Sequence, residues 1–423
     1  MTANTVTLRK VLITSDARGR RLLTHPEAAT ITTEALAQRA RDLIPALRAR
    51  ASRTEEARTL LPETLAEFHA AGFFRIVQPK RFGGFEMGME TLQAVLVEIG
   101  RGCASSAWTL GILAGHAWWA SQFPEEGQVE IFGDTGVALL PTGIFGRGGR
   151  ATKVDGGYRL TGRWPYQSGC DAANWFGCGA NLVTEDASAP PVGLSFIVEA
   201  SAGHIEDTWH TMGMRGTGSK TVVVDDAFVP ESRAILLSDV EAQTPGSKLH
   251  DNPLYSTPLL AFISIEVTGA AVGNALGAVD VLEEMGRTKP VRARGGGGGE
   301  TTTYEMSRPS FRRHLGEAKS LAETAKTMLL AESKRLMDRA VEIKRDGREM
   351  TREEIAEVTL IQTRLIEMST QAVRHCFAAA GTSATVQGHP MQRMLRDAYT
   401  MSTHTVLRLD TAAEAWATAH YGL

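Results

Sequence analysis

The chain is short of several things, and each shortage narrows what it can be. It has four cysteines in 423 residues, Cys103, Cys170, Cys178 and Cys376, and no two stand in CxxC spacing. A zinc site built on paired thiolates is therefore unsupported, and reduced thiols in a cytoplasmic protein are the simplest expectation. Charge imbalance is small: Lys+Arg 45 against Asp+Glu 48 give a formal net charge of -3. That offers no electrostatic reason for nucleic acid or an anionic membrane as partner. The opening residues MTANTVTLRKVLITSDARGRR lack a long apolar region, so no leader is expected. No apolar run is expected to reach the roughly 18 residues of a membrane span. There is no GK[ST] phosphate loop and no internal repeat.

What is present is ordinary in amount, 43% hydrophobic and 22% charged residues, and too long for one core, so two or three domains are expected. The grammar changes twice along the chain. Residues 1–30 read as a polar, basic tail or short arm. Residues 31–136 read as helical, with apolar residues three and four apart in TTEALAQRARDLIPALRARA and a nearly all-apolar helix pair broken near Gly102. Residues 137–250 hold short β-branched or aromatic runs punctuated by glycine, YRLTGRW, WFGCGANLV, GLSFIVEA and KTVVVDDAFVP, which predict six to eight strands.

Residues 251–423 return to helix. Phe311, Leu315, Ala318, Ala322, Ala325, Leu329 and Leu336 fall on one stripe of a long amphipathic helix. A second helix closes at Gly381, and a third is predicted from about Met391 to His420. Between the first helices of this part lies a run of five glycines, residues 295–299, which reads as a surface linker. The neighbouring Arg287, Lys289, Arg292 and Arg294 leave phosphate binding as its other reading.

One stretch does not fit its surroundings. In RLTGRWPYQSGC the strand pattern gives way to small polar residues, Ser168 and Gly169, where alternating apolar ones belong. With GMRGTGSKTVVVDDAFVP (residues 213–230) and PMQRMLRDAYTMSTHT (residues 390–405), it resembles the acyl-CoA dehydrogenase superfamily from about Thr30 to the end. The resemblance implies an α+β fold: an N-terminal helical domain, a central β-barrel-like domain and a C-terminal four-helix bundle. It also implies a homotetramer.

The superfamily holds two chemistries. Dehydrogenases need a carboxylate base, and the segment after Arg396-Asp397 has none between Asp397 and Asp410. Glu266 is the one candidate for a relocated base, and a surface or interface role is the favoured reading for it. The chain is more similar to two-component monooxygenases, such as the oxygenase component of 4-hydroxyphenylacetate 3-hydroxylase. That resemblance implies FMNH2, or FADH2, from a separate NAD(P)H-flavin reductase, O2 as co-substrate, and oxygen transfer by a flavin C4a-hydroperoxide. No GxGxxG nicotinamide fingerprint follows a strand, in keeping with a separate reductase.

By the same resemblance Trp108 lines the flavin pocket, Ser168 lies near flavin N5 with Gly169 allowing close approach, and His404 lies near C4a. His116 and Thr142 face the substrate, and Thr142 also the flavin, with threonine at 142 where the nearest group usually has serine. His116, Ser168 and His404 are then the catalytic candidates. Read without the resemblance, His116 is a core histidine in an apolar helix, His404 part of an exposed polar run, and Trp108 core. Arg396 and Asp397 read as a structural ion pair. The stretch YSTPLLAFISIEVTGAAVG has no Lys, Arg or His, so no cation is offered to a substrate carboxylate. Leu259, Phe262 and Ile263 are expected as apolar walls, and the substrate as a neutral aromatic: a phenol, an indole-type or a polycyclic compound. The alternatives are an acyl-CoA dehydrogenase or oxidase, and an N- or S-oxygenase of the same fold.

Overall fold

The computed structural model describes residues 12–15, 21–133, 136–143, 148–184, 188, 190–241, 244–291 and 303–423. The glycine run 295–299, with Arg292 and Arg294, lies outside them. The predicted arm contains a two-stranded hairpin, β1 (Leu12–Ser15) and β2 (Arg21–Thr24). Five helices follow: α1 (Thr33–Ala57), α2 (Pro62–Ala71), α3 (Met89–Gly102), α4 (Ala104–Ala120) and α5 (Glu125–Phe132). Thr32 caps α1 by accepting from the Ala35 N–H, and Pro62 opens α2 where its missing N–H costs nothing. The expected break falls between α3 and α4, at the extended Cys103. Helix α4 is buried almost throughout its length, which explains why its sequence is apolar on every side.

The middle of the chain folds into an eight-stranded mixed sheet. Its strands are β3 (Thr142–Gly143), β4 (Gly149–Val154), β5 (Gly157–Gln167), β6 (Trp175–Leu182), β7 (Gly193–Glu199), β8 (Gly203–Glu206), β9 (Lys220–Pro230) and β10 (Ala234–Leu236). The order is β10-β7-β6-β4-β5-β9-β8, with β3 beside β6. Most neighbours are antiparallel; β6 pairs in parallel with β3 and β4. The pairing of β5 with β9 slips between Trp164 and Gln167, so β5 ends in an irregular bend.

The C-terminal part contains α6 (Leu259–Glu266), α7 (Thr268–Thr288), α8 (Pro309–Asp346), α9 (Arg352–Ala380), α10 (Pro390–Ser402) and α11 (Leu409–Tyr421). Helices α7, α8, α9 and α10 pack together, α11 rests on α9, and α3 lies against α7. The stripe on α8 is buried as its spacing requires, except Leu315, which is half-buried. Lys289 donates to the Ala380 carbonyl and the Ser383 hydroxyl, so this cation caps the end of α9.

Two expectations are corrected. The single last helix is two, because the Ser-Thr-His-Thr run after α10 breaks the helix and forms a short 3-10 turn, Thr405–Leu407. Polar and β-branched side chains there compete with helical hydrogen bonds. Together α6 and α7 are long and apolar enough to cross a membrane, contrary to the reading of the sequence, but they are almost wholly buried within this fold. All four cysteines are buried and unpaired.

Candidate active site

A cavity of about 420 Å³ opens where the three parts of the chain meet. Helix α4 contributes Trp108, Ile112 and His116, four residues apart and so on one stripe. The end of β5 contributes Tyr166, the bend after it Ser168, and the approach to β9 contributes Met214, Thr217 and Ser219. The end of α6 supplies Ile263 and Glu266, and the break after α10 supplies Thr403 and His404. Thr142 of β3 completes the wall beside His116.

One end of the cavity is a file of hydroxyls. The Thr217 hydroxyl donates to the Met214 carbonyl at 2.8 Å. Thr217 and Ser219 are 2.6 Å apart, Ser219 and Ser168 2.8 Å. The Trp108 indole N–H donates to Ser168 at 3.3 Å. Each hydroxyl has one proton, so the carbonyl at the end fixes the direction of all the others. Thr217 has spent its proton and accepts from Ser219; Ser219 in turn accepts from Ser168. Ser168 therefore faces the cavity only as an acceptor.

The far end of this file is anchored by Asp397 of α10, which accepts the Met214 N–H at 2.6 Å. Arg396 does not pair with Asp397; it reaches Glu55 of α1 and the Met212 carbonyl. Successive helical side chains point in different directions, which is why the expected pair does not form. Burial pushes the Asp397 carboxyl up to about 6. An unfolded aspartyl group titrates near ~4, so the folded state holds this proton more tightly. That contribution, about 2–3 kcal/mol, is complete below about pH 4 and lost as pH rises through 6. D397N keeps the acceptor and cannot ionise. Urea midpoints are expected to match wild type at pH 4 and exceed it at pH 8.

The other end of the cavity is a buried pair. His116 Nδ1 lies 2.6 Å from the Leu140 carbonyl. A carbonyl only accepts, so Nδ1 carries a proton and Nε2 faces the cavity. Nε2 lies 3.3 Å from Glu266 Oε1 and 3.5 Å from the Thr142 hydroxyl. Burial alone lowers an imidazole, but the Glu266 carboxylate outweighs it and raises His116. Burial raises Glu266 in turn. The pair thus keeps one proton to a pH above the ordinary imidazole range.

His404 stands between the two ends, its ring edge-to-face with Trp108 at 5.3 Å. Desolvation by its surroundings pushes the imidazole down to about 4. Its access to solvent offsets part of this, and the ring is neutral at pH 7 on either account.

Trp108, His116, Thr142, Ser168, His404 and Ile263 are thus brought together. Three expected residues are not on the wall. Phe262 turns away and stacks on Trp118, centroids 4.3 Å apart. Leu259, one turn earlier on α6, packs in the main core. Gly169 lies behind Ser168 and faces α4: a Cβ there would meet Thr109 at 2.8 Å, and its φ is +79°. Its close approach is to a helix. Glu266, read as a surface or interface residue, is buried at 2% exposure inside the cavity. Thr217 and Ser219 are functional candidates that the sequence reading missed, and Glu266 is one that it weighed and set aside. The hydroxyls in GTGSK were a visible signal for the first two.

The fold is that of the acyl-CoA dehydrogenases. The description "Acyl-CoA dehydrogenase, N-terminal domain" matches residues 30–130, and "Acyl-CoA dehydrogenase, C-terminal domain" matches residues 266–409. A pigment production hydroxylase of Rhodococcus sp. (strain ATCC 21145) is 35% identical over 387 residues, 91% of this chain and 95% of the relative. The oxygenase component of an FADH(2)-dependent resorcinol hydroxylase of Rhizobium sp. (strain MTP-10005) is 32% identical, over 86% of this chain and 88% of the relative. The structure of XiaF from Streptomyces sp. in complex with FADH2 and glycerol superposes with a TM-score of 0.83 at 28% identity, covering 94% of this chain and 97% of the other. The chain belongs to the reduced-flavin-dependent monooxygenases, the oxygenase components built on the acyl-CoA dehydrogenase fold.

Proposed function

We propose that this chain hydroxylates a neutral aromatic compound, using O2 and reduced flavin delivered by a separate NAD(P)H-flavin reductase. The observation that carries this reading is a cavity with two unlike ends, a directed hydroxyl file at Ser168 and an acid–base pair at His116 and Glu266. The residues fit a reduced flavin. Its ring carries an N–H donor at N5, and Ser168 offers an acceptor whose own proton is committed elsewhere. Trp108 and Ser168 would hold the ring, with His404 beside them. When bound, the reduced flavin supplies two electrons and the activation of O2.

The chain's own residues do the rest. Ser168 holds a proton at the ring by accepting it. His404, neutral, donates toward developing oxygen charge. Ile112 and Ile263 exclude water and give an arene an apolar face. His116 Nε2, carrying the proton of its pair with Glu266, donates to the oxygen of an aromatic hydroxyl while Thr142 accepts from that hydroxyl, and the phenolate character this favours raises electron density on the neighbouring ring carbons. The resorcinol hydroxylase relative, named FADH(2)-dependent, and XiaF in complex with FADH2 at 28% identity favour FADH2 over FMNH2 here; the structures named with FMN match at only 16% and 19% identity. A homotetramer and a cytoplasmic location belong to the same proposal.

The test is a single turnover. Protein with FADH2, prepared without oxygen, is mixed with oxygen-18-labelled O2 and a panel of neutral phenols. The expected product carries one labelled atom, with little H2O2. A second reading has one observation in its favour: Glu266 inside the cavity is a carboxylate of the kind a dehydrogenase base requires. Bleaching of bound oxidised FAD by an acyl-CoA, with no labelled aromatic product, would establish that reading instead. If sulfides or amines take up the label and phenols do not, the chain is an S- or N-oxygenase.

A further inference from the structure

We propose that Glu266 determines which aromatic is accepted: it receives a hydrogen bond from a second donor on the substrate, so the site selects neutral dihydroxylated arenes. This rests on the monooxygenase reading above.

Glu266 Oε1 is buried and has no aligned hydrogen-bond partner among the described residues. His116 Nε2, at 3.3 Å, is near enough to attract its charge. Buried carboxylate oxygens are almost always satisfied, so an oxygen left open on a cavity wall points to a donor that arrives with the ligand.

The position is built. Glu266 is the last residue of α6, where the helix breaks at Val267 before α7 resumes. The Gln93 side chain bridges that break, donating to the Glu266 carbonyl at 3.2 Å and accepting the Gly269 N–H at 2.8 Å. On the facing helix α4, Gly115 makes room: a Cβ there would stand 2.2 Å from Glu266 Oε1. A glycine opposite and a clamp beneath hold the carboxylate against the cavity.

The corner has two separate receivers for hydroxyl groups. One is Glu266 Oε1. The other is Thr142 Oγ1, which can accept beside the protonated His116 Nε2. Ile112, Ile263 and Val267 line the neighbouring wall and suit a flat ring. No Lys or Arg lines the cavity among the described residues, so a substrate carboxylate would meet the charge of Glu266 with only His116, already committed to that carboxylate, to offset it.

The experiment compares resorcinol, its mono-methyl ether 3-methoxyphenol, and 3-hydroxybenzoate, in wild type and E266Q. KM, kcat, labelled product per O2 and H2O2 are read for each. In wild type, resorcinol is expected to have a KM at least about tenfold below that of the ether, the scale set by one hydrogen bond to a charged group. 3-Hydroxybenzoate is expected to be the poorest substrate. In E266Q, which keeps an acceptor but loses the charge, the ratio between resorcinol and ether is expected to fall to about threefold or less, and 3-hydroxybenzoate improves.

Each ratio is taken within one protein, so a partly unfolded preparation does not alter it. If E266Q does not fold, G115A displaces the same carboxylate and is expected to give at least the same fall in the ratio. Equal KM values for resorcinol and ether in wild type, or an unchanged ratio in the variants, overturn the inference while hydroxylation itself stands. If every compound gives only H2O2 and no labelled product, the monooxygenase reading falls and this inference with it.

Discussion

His116→Leu is expected to destabilise the fold by about 3–5 kcal/mol, an effect that its partner, not the imidazole itself, accounts for. The substitution strands Glu266 as a buried carboxylate with no neighbouring cation, and leaves the Leu140 carbonyl without its donor. The double variant H116L/E266L removes both halves and is expected to recover most of the loss, since paired buried ions exchange for apolar groups at little net cost. The deficit of the single variant has a sign in pH. Burial raises Glu266 above its unfolded value, so the folded state favours the protonated acid. The deficit is therefore largest near neutral pH and shrinks below about pH 4, where the carboxyl is protonated in both states. Urea unfolding of the four proteins of this cycle at two pH values measures it. Equal losses in the single and double variants would show that the two groups are not coupled.

Ser168→Ala is expected to divert most O2 to H2O2 and to lower hydroxylated product per turnover by roughly tenfold or more, the worth of one hydrogen bond made at the reacting ring. Reduced-flavin affinity should change by less than about threefold, because one of many contacts is lost. Ser219→Ala separates the presence of the Ser168 hydroxyl from its direction. It keeps that hydroxyl but removes the acceptor that holds its proton away from the cavity. An intermediate loss of coupling is expected. Product and peroxide yields from single turnovers decide the matter, and coupling unchanged in S219A would show that the file does not orient Ser168.

Much of this protein can be read from its residues. The change from helical to strand spacing and back is a local property, so helix–sheet–helix order and the stripe on α8 follow from the sequence. The oddity of YQSGC was also local, and Ser168 lies on the cavity. What could not be read depends on distant partners. Glu266 ends an apolar helix, and nothing near it says that the helix breaks there. The break is bridged by Gln93 and opposed by Gly115, both on other helices far along the chain. Phe262 and Ile263 are adjacent and equally apolar; the flat face of Trp118 takes one and leaves the other for the cavity. Thr217 and Ser219 looked like the lead-in to a strand, and gain meaning only from the Met214 carbonyl at one end and Ser168 at the other.

The two ends of the cavity are carried by different parts of the backbone. The hydroxyl file hangs on the β5 bend, the approach to β9 and α10, whereas the acid–base corner hangs on the second half of α4 and the end of α6. Under the proposed function, exchanges at positions 115, 263 and 266 would alter the substrate corner without touching the hydroxyl file. A designer seeking a new aromatic target would randomise those three positions and leave the segment from Gly213 to Lys220 alone.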